Sequence, residues 1–214
     1  MPLTPELAGW RKRQRERLLA QRMAVAPALH ARWNAQITGH LLALLVPQPG
    51  MVLAGYWPFK GEFDPRFAMR AWRDRAGRTA LPVVVQRAAP LEFREWRPGT
   101  RTHAGVYGLP VPEGSAVVQP AIALIPPIGF DALGYRLGYG GGFYDRTLAA
   151  MAPGPLKIGV AFELSRIDSI RPQPHDIAMD MIVTPDAVCR VTPQGLEVLD
   201  AASARQHVAS LWSQ

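Results

Sequence analysis

The stretch Gly134-Tyr135-Arg136-Leu137-Gly138-Tyr139-Gly140-Gly141-Gly142-Phe143-Tyr144-Asp145 places four glycines in five positions between an arginine and an aspartate. It follows the apolar run 121–126, which reads as a buried strand, and it opens 145–151, which reads as a helix. Glycines lacking a Cβ let backbone come close to a ligand. Backbone N–H groups at the positive end of a helix then form a cradle for an anion. Arg136 adds a planar cation that meets phosphate in a fork. Asp145 adds a hard oxygen of the kind that holds magnesium beside phosphates. No Lys-Ser or Lys-Thr follows the glycines, so this is not a Walker loop, and the third glycine is misplaced for a dinucleotide fingerprint. Glycine content alone allows a flexible surface loop; the arginine, aromatic and acidic decoration argues for a site.

Outward from this loop, strands and helices alternate. Residues 5–24 read as a basic helix, with Arg11, Arg15 and Arg22 on one face at spacings of four and seven. Such a run, taken alone, reads as a solvated face. Pro27 starts a second helix whose apolar stripe is Leu29, Trp33, Ile37, Leu41 and Leu45. Residues 51–57 read as a buried strand, and Asp64-Pro65 starts a helix that stops at Gly77. Residues 79–85 and 91–96 read as strands, 97–119 as a Pro- and Gly-rich loop, and 156–162 and 181–184 as further strands. Residues 191–199 suggest a terminal hairpin element. The alternation implies an α/β fold, a three-layer sandwich with a largely parallel central sheet. No linker divides the chain, so 1–214 is expected to be a single domain.

Composition excludes several classes. The chain has 214 residues, 48% hydrophobic and 19% charged, which is ordinary globular usage. Its 21 prolines disfavour a helical bundle. A single cysteine, Cys189, rules out a disulfide framework and fits a reducing cytoplasm. No run approaches the ~20 apolar residues that span a bilayer, and no secretory signal is evident, so a cytoplasmic protein without membrane contact is expected. The net charge of +7 points to an anionic ligand or to nothing more than a basic surface.

Two further segments carry chemistry. Tyr56-Trp57-Pro58-Phe59-Lys60-Gly61-Glu62-Phe63-Asp64 ends a predicted strand, where open α/β sheets bind ligands. Its aromatics can stack on a flat heterocycle and Glu62 can accept from ring nitrogens; alternatively Trp57 and Phe59 are core and Glu62 is a surface acid. Pro174-His175-Asp176, with Asp180 four residues on, reads either as metal-ligating or as Asp176 paired structurally with an arginine. Cys189 reads as structural.

These segments, in this order and spacing, resemble the 5-formyltetrahydrofolate cyclo-ligase family over the full length, to the strand ending at Thr184. Tyr107-Gly108-Leu109-Pro110 matches a weaker family pattern. The resemblance implies a Rossmann-like fold with a basic N-terminal helix. It implies use of ATP and Mg2+ to convert 5-formyltetrahydrofolate to 5,10-methenyltetrahydrofolate, by phosphorylation of the formyl oxygen, ring closure, and release of ADP and phosphate. It places Arg11 and Arg15 on the ATP phosphates, Arg11 standing where the family has lysine. It puts Arg136, Leu137, Gly138, Tyr139, Gly140, Gly141, Gly142, Phe143 and Tyr144 near the nucleotide. Some members carry lysine where this chain has Gly141. Asp145 and Asp176 match the magnesium acids, and Trp57, Glu62 and Tyr107 match folate contacts. The catalytic work would fall to Arg136, Tyr144 and Glu62. The expected partner is a small-molecule folate, with or without a polyglutamate tail, and the expected assembly is a monomer. The competing readings are a paralogue on the same scaffold, with another substrate or only a binding role, and, more distantly, a basic nucleic-acid-binding protein, for which no recognised motif is present.

Overall fold

The structure, a computed structural model, describes residues 3–211, with the Tyr107 side chain outside the described residues. The helices are α1 (Pro5–Met23), α2 (Pro27–Leu44), α3 (Arg66–Asp74), α4 (Phe143–Ala150) and α5 (Ala201–Leu211). The strands are β1 (Val52–Ala54), β2 (Arg78–Val83), β3 (Glu92–Glu95), β4 (Thr102–Ala104), β5 (Pro110–Pro112), β6 (Ile122–Ile125), β7 (Gly129–Phe130), β8 (Arg136–Leu137), β9 (Leu156–Val160), β10 (Met181–Val183), β11 (Val188–Thr192) and β12 (Gly195–Leu199).

Eight strands form one sheet in the order β12-β11-β10-β9-β6-β1-β2-β3. The run from β10 through β9, β6 and β1 to β2 is parallel, while β3, β11 and β12 join antiparallel at the edges. The expected largely parallel sheet is therefore present. Side-chain alternation splits it into two faces. Leu53, Leu81, Ile122, Leu124, Ile158 and Met181 pack with Ile37 and Leu41 of α2, Met69 and Trp72 of α3, and Val208 of α5. On the other face, Ala54, Ala80, Ala123 and Ile125 meet Leu148 of α4. The small side chains on this second face let α4 lie close to the strands. The C-terminal half of the α2 stripe is buried, with Ile37 and Leu41 at 0% and 1% exposure, while Leu29 and Trp33 are half-buried.

The topology also fixes where a ligand fits. The crossover from β1 to β2 runs through α3 on one face; that from β6 to β9 runs through α4 on the other. The chain reverses direction across the sheet between β1 and β6, and open sheets of this kind bind ligands in the crevice beyond the carboxyl ends of those two strands. Those ends lead into Tyr56–Glu62 on one side and Pro126-Pro127 on the other.

Three regions differ from the sequence expectation. Residues 97–119 are not wholly loop: β4 and β5 pair antiparallel around a short turn at Val106–Gly108. Prolines at both ends of β5 hid that strand, since proline usually signals a break. No element was expected after residue 199, yet α5 forms there; the Asp200 carboxylate accepts from the N–H groups of Ala202 and Ser203 and so caps it. Helix α4 also starts at Phe143, two residues before expectation, because Gly142 takes the left-handed cap at φ 63.

Leu124→Ala should lower the unfolding free energy by about 2–5 kcal/mol in urea titration, because Leu124 is fully buried on the central strand and the cavity cannot collapse.

Candidate functional site

A cleft of about 430 Å³ opens at the predicted crevice. It is lined by Arg11 and Arg15 from α1, by Trp57 and Glu62 after β1, by the whole run from Arg136 to Asp145, and by Asp176. Every site residue that the family resemblance implies, apart from Tyr107, thus reaches one cavity, whereas Asp180 lies outside it and pairs with Lys157 at 2.8 Å. Tyr107 lies in the short turn between β4 and β5; its side chain is outside the described residues. Leu109 and Pro110, just beyond that turn, do line the cleft.

The arginine face of α1 is not solvated. Arg11 and Arg22 are 5% and 4% exposed. Each arginine of the face holds a different wall of the cleft. Arg11 donates through Nη2 to Asp176 Oδ2 at 2.6 Å and through Nη1 to Oδ1 at 3.3 Å, and also to the carbonyls of Ile170 and Arg171. Arg15 donates through Nε to the Gly138 carbonyl at 2.7 Å. Its terminal nitrogens make no hydrogen bond among the described residues. Arg22 donates to the carbonyls of Lys60 and Pro127 and to the Tyr139 hydroxyl at 2.8 Å. Arg22 is the site residue that the sequence reading did not single out. Its position on the face was visible; its partners, at residues 60, 127 and 139, are too distant in the chain to be read from spacing.

Glu62 is a buried acid, not a surface one. It is 5% exposed. Its Oε2 accepts from the Phe59 N–H at 2.9 Å, and its Oε1 accepts from the Tyr139 hydroxyl at 2.7 Å. Arg22 Nη2 lies 3.7 Å from the same Oε1. Burial raises the carboxyl pKa to about 7, against the opposing pull of Arg22, Tyr139 and the Phe59 N–H. Such a group holds or releases a proton near neutrality.

The glycine loop joins β8 to α4. Asp131 shapes its approach, accepting from the N–H groups of Leu133, Tyr135 and Ile170. At Gly140, φ is 94°, a backbone conformation that residues with a side chain rarely adopt, and Arg15 Cζ lies 3.4 Å from where a Cβ would sit. Arg136 is 7% exposed and donates to the Ile177 carbonyl and to Asp145 Oδ1 at 2.8 Å. The Ile177 N–H donates to the same Oδ1. The Tyr144 hydroxyl has no partner among the described residues, and burial, then the Glu62 charge, raises its pKa.

The carboxylates answer the magnesium question unequally. Asp145 Oδ2 has no partner among the described residues, and magnesium at phosphates commonly takes one or two protein carboxylates. Asp176 has both oxygens engaged, by Arg11 and by the Gln173 N–H. Although burial opposes it, the Arg11 contact holds the Asp176 pKa below its ordinary value. Asp176 forms the arginine pair that one of its two readings expects, with Arg11 at 2.6 Å. Among the described residues no cluster of three or more His, Cys, Asp or Glu is placed to hold a metal. The donor set fits a cation that draws on Asp145 and on phosphate oxygens.

The sequence model of the 5-formyltetrahydrofolate cyclo-ligase family matches residues 8–185. The chain belongs to that family. A 5-formyltetrahydrofolate cyclo-ligase of Mycolicibacterium smegmatis is 31% identical over 180 residues, covering 80% of this chain and 91% of the relative. That of Escherichia coli is 27% identical over 179 residues, covering 78% and 96%. Among solved structures, the 5,10-methenyltetrahydrofolate synthetase of Aquifex aeolicus superposes with a TM-score of 0.74 at 25% identity, covering 89% of this chain and 96% of that one. A synthetase of Mycoplasma pneumoniae gives 0.67 at 25% identity, covering 82% and 98%. The family match runs from within α1 to just beyond β10, so it includes Arg11, Arg15 and Arg136 and the three carboxylates of the cleft, Glu62, Asp145 and Asp176. No helix among the described residues is long and apolar enough to cross a membrane.

Glu62 sets a testable pH dependence. Its folded pKa lies above the ordinary carboxylate value of 4.5, so the folded state binds the proton more tightly than the unfolded chain. Its contribution to stability is therefore full below about pH 4.5 and is lost as pH rises through about 7, by on the order of 2–3 kcal/mol. In urea titrations from pH 4.5 to 8, Glu62→Gln should remove that decline relative to the native chain.

Proposed function

We propose that this chain is an ATP-dependent 5-formyltetrahydrofolate cyclo-ligase that makes 5,10-methenyltetrahydrofolate, and that residues 1–214 act as one domain. The observation that carries this reading is the single cleft: a glycine loop with two cations at one end, and a buried acid with aromatic neighbours at the other. A polyphosphate and a flat heterocycle carrying ring N–H donors would each find complementary chemistry there.

At the phosphate end, the free terminal nitrogens of Arg15 and the remaining donors of Arg136 neutralise charge on the transferring group. The loop glycines bring backbone N–H groups close to it. Asp145 would hold a magnesium ion, which would supply charge neutralisation to the phosphates. Arg11 acts through Asp176, fixing the segment whose Ile177 backbone orients Arg136 and Asp145. At the folate end, Trp57 flanks the pterin and Glu62 accepts from it.

The formyl oxygen attacks the γ-phosphorus and ADP leaves, which turns a poor leaving group into phosphate and the formyl carbon into an electrophile. The 10-nitrogen then attacks that carbon, loses its proton, and phosphate departs as the ring closes. Phosphoryl transfer of this type needs alignment and charge neutralisation more than covalent help. Glu62, with its pKa near 7, and the unpartnered Tyr144 hydroxyl are the groups placed to handle the proton.

Incubation with 5-formyltetrahydrofolate, followed by the ultraviolet absorbance of 5,10-methenyltetrahydrofolate, tests this directly. Product should appear only when ATP and Mg2+ are both present. Absence of product from folded protein that binds ATP would turn the reading to a paralogue with another substrate. Asp145→Asn should raise the magnesium concentration for half-maximal rate by about tenfold or more, a ligand loss of at least 1.4 kcal/mol. Asp176→Asn should shift it less than threefold while lowering stability by about 3–5 kcal/mol, since it leaves a buried arginine unpaired.

A further inference from the structure

Tyr139 is the one residue between Gly138 and Gly142 that carries a side chain beyond hydrogen. Its ring is 42% exposed and meets Phe59 at a centroid distance of 5.9 Å. Little packing holds it. Its hydroxyl, by contrast, is held on both sides. Arg22 Nη2 donates to the oxygen at 2.8 Å, so the phenolic proton must point away from Arg22, and it is donated to Glu62 Oε1 at 2.7 Å. The direction of this Arg22–Tyr139–Glu62 chain is fixed, and each bond polarises the next. Arg22 cannot readily turn away, because its other nitrogens are bound to the Lys60 and Pro127 carbonyls.

The glycine loop and the folate-side acid are thus joined by one hydroxyl. An ionised carboxylate offers about four acceptor positions. Tyr139 and the Phe59 N–H occupy two, on different oxygens, and Arg22 stands off at 3.7 Å. Glu62 can therefore accept from a heterocycle without releasing Tyr139. Whatever fixes the loop in place also fixes the acid, and whatever anchors the acid also steadies the loop.

We propose that Tyr139 is a positioning residue that couples the two ends of the cleft, so that folate and nucleotide each tighten the binding of the other. The proposal rests on the cyclo-ligase reading given above. By linkage, the enhancement must be the same factor in both directions. Its origin is the shared hydroxyl: a position that one ligand favours in the loop is passed through Tyr139 to Glu62, and the reverse.

The test is calorimetric titration of 5-formyltetrahydrofolate and of the β,γ-imido analogue of ATP with Mg2+, each alone and each with the other saturating. The native chain should show mutual tightening of about 5- to 50-fold. Tyr139→Phe keeps the ring on Phe59 and deletes the hydroxyl; it should bring that factor within about twofold of one. Tyr139→Leu should give the same loss through a different side chain. In the Phe variant, the Glu62-dependent limb of the kcat/KM pH profile should also move upward from about 7, because a bond favouring the carboxylate is gone. A Phe variant with the native coupling factor, or a native chain with no coupling, overturns the proposal while leaving the cyclo-ligase reading intact. A folded native chain that binds neither ligand overturns both.

Discussion

The site depends on where the guanidinium groups of one helix are anchored. Arg11, Arg15 and Arg22 share a face of α1, and each grips a segment from a different part of the chain: 170–176, the glycine loop, and the turn after β1. None of these segments belongs to a long regular element. Their backbone carbonyls would otherwise lack partners inside the fold, and buried carbonyls need donors. Arginine suits the task because its five donors diverge in a fixed plane, so one side chain ties several acceptors at once. Lysine at position 11 would offer a single point of charge and could not span both Asp176 oxygens and two carbonyls together. Arg11 therefore holds the wall of the cleft, through the Ile170 and Arg171 carbonyls and both oxygens of Asp176.

The sheet and the helix divide the work. The parallel strands place a crevice at the reversal between β1 and β6, and the glycine loop and the Trp57–Glu62 segment emerge on opposite sides of it. The strands alone leave those segments without fixed conformation. The guanidinium contacts of α1 supply it, together with Asp131 at the base of the loop. Polar groups are thus buried at the site in matched pairs, and their cost in desolvation is offset by bonds that the function also uses. Glu62 is the exception by design: its partners do not fully compensate its burial, and its pKa near 7 is the result.

Much of this was legible in the sequence because the signals were local. The glycine run, the β-branched strands and the four-residue stripe of α2 follow from steric and periodic rules that act over a few residues. The β4–β5 pair was not legible, since prolines at positions 110 and 112 imitate a break. The burial of Arg11 and Arg22 was not legible either. A basic run looks solvated unless its partners are known, and those partners lie at 60, 127, 139, 170 and 176. The same gap left Asp176 with two readings and kept Arg22 out of the site. Long-range pairing, not local propensity, separates what sequence patterning reveals here from what only the fold shows.

Hydrogen exchange read by mass spectrometry, comparing the native chain with Arg11→Met, Arg15→Met and Arg22→Met, tests the central role of α1 most directly. Each substitution should raise exchange in its own wall: 170–177 for Arg11, 136–142 for Arg15, and both 59–62 and 136–142 for Arg22. The central strands β6 and β9 should keep their protection. Exchange that is unchanged in all three walls, or that rises evenly across the whole chain, would contradict the account.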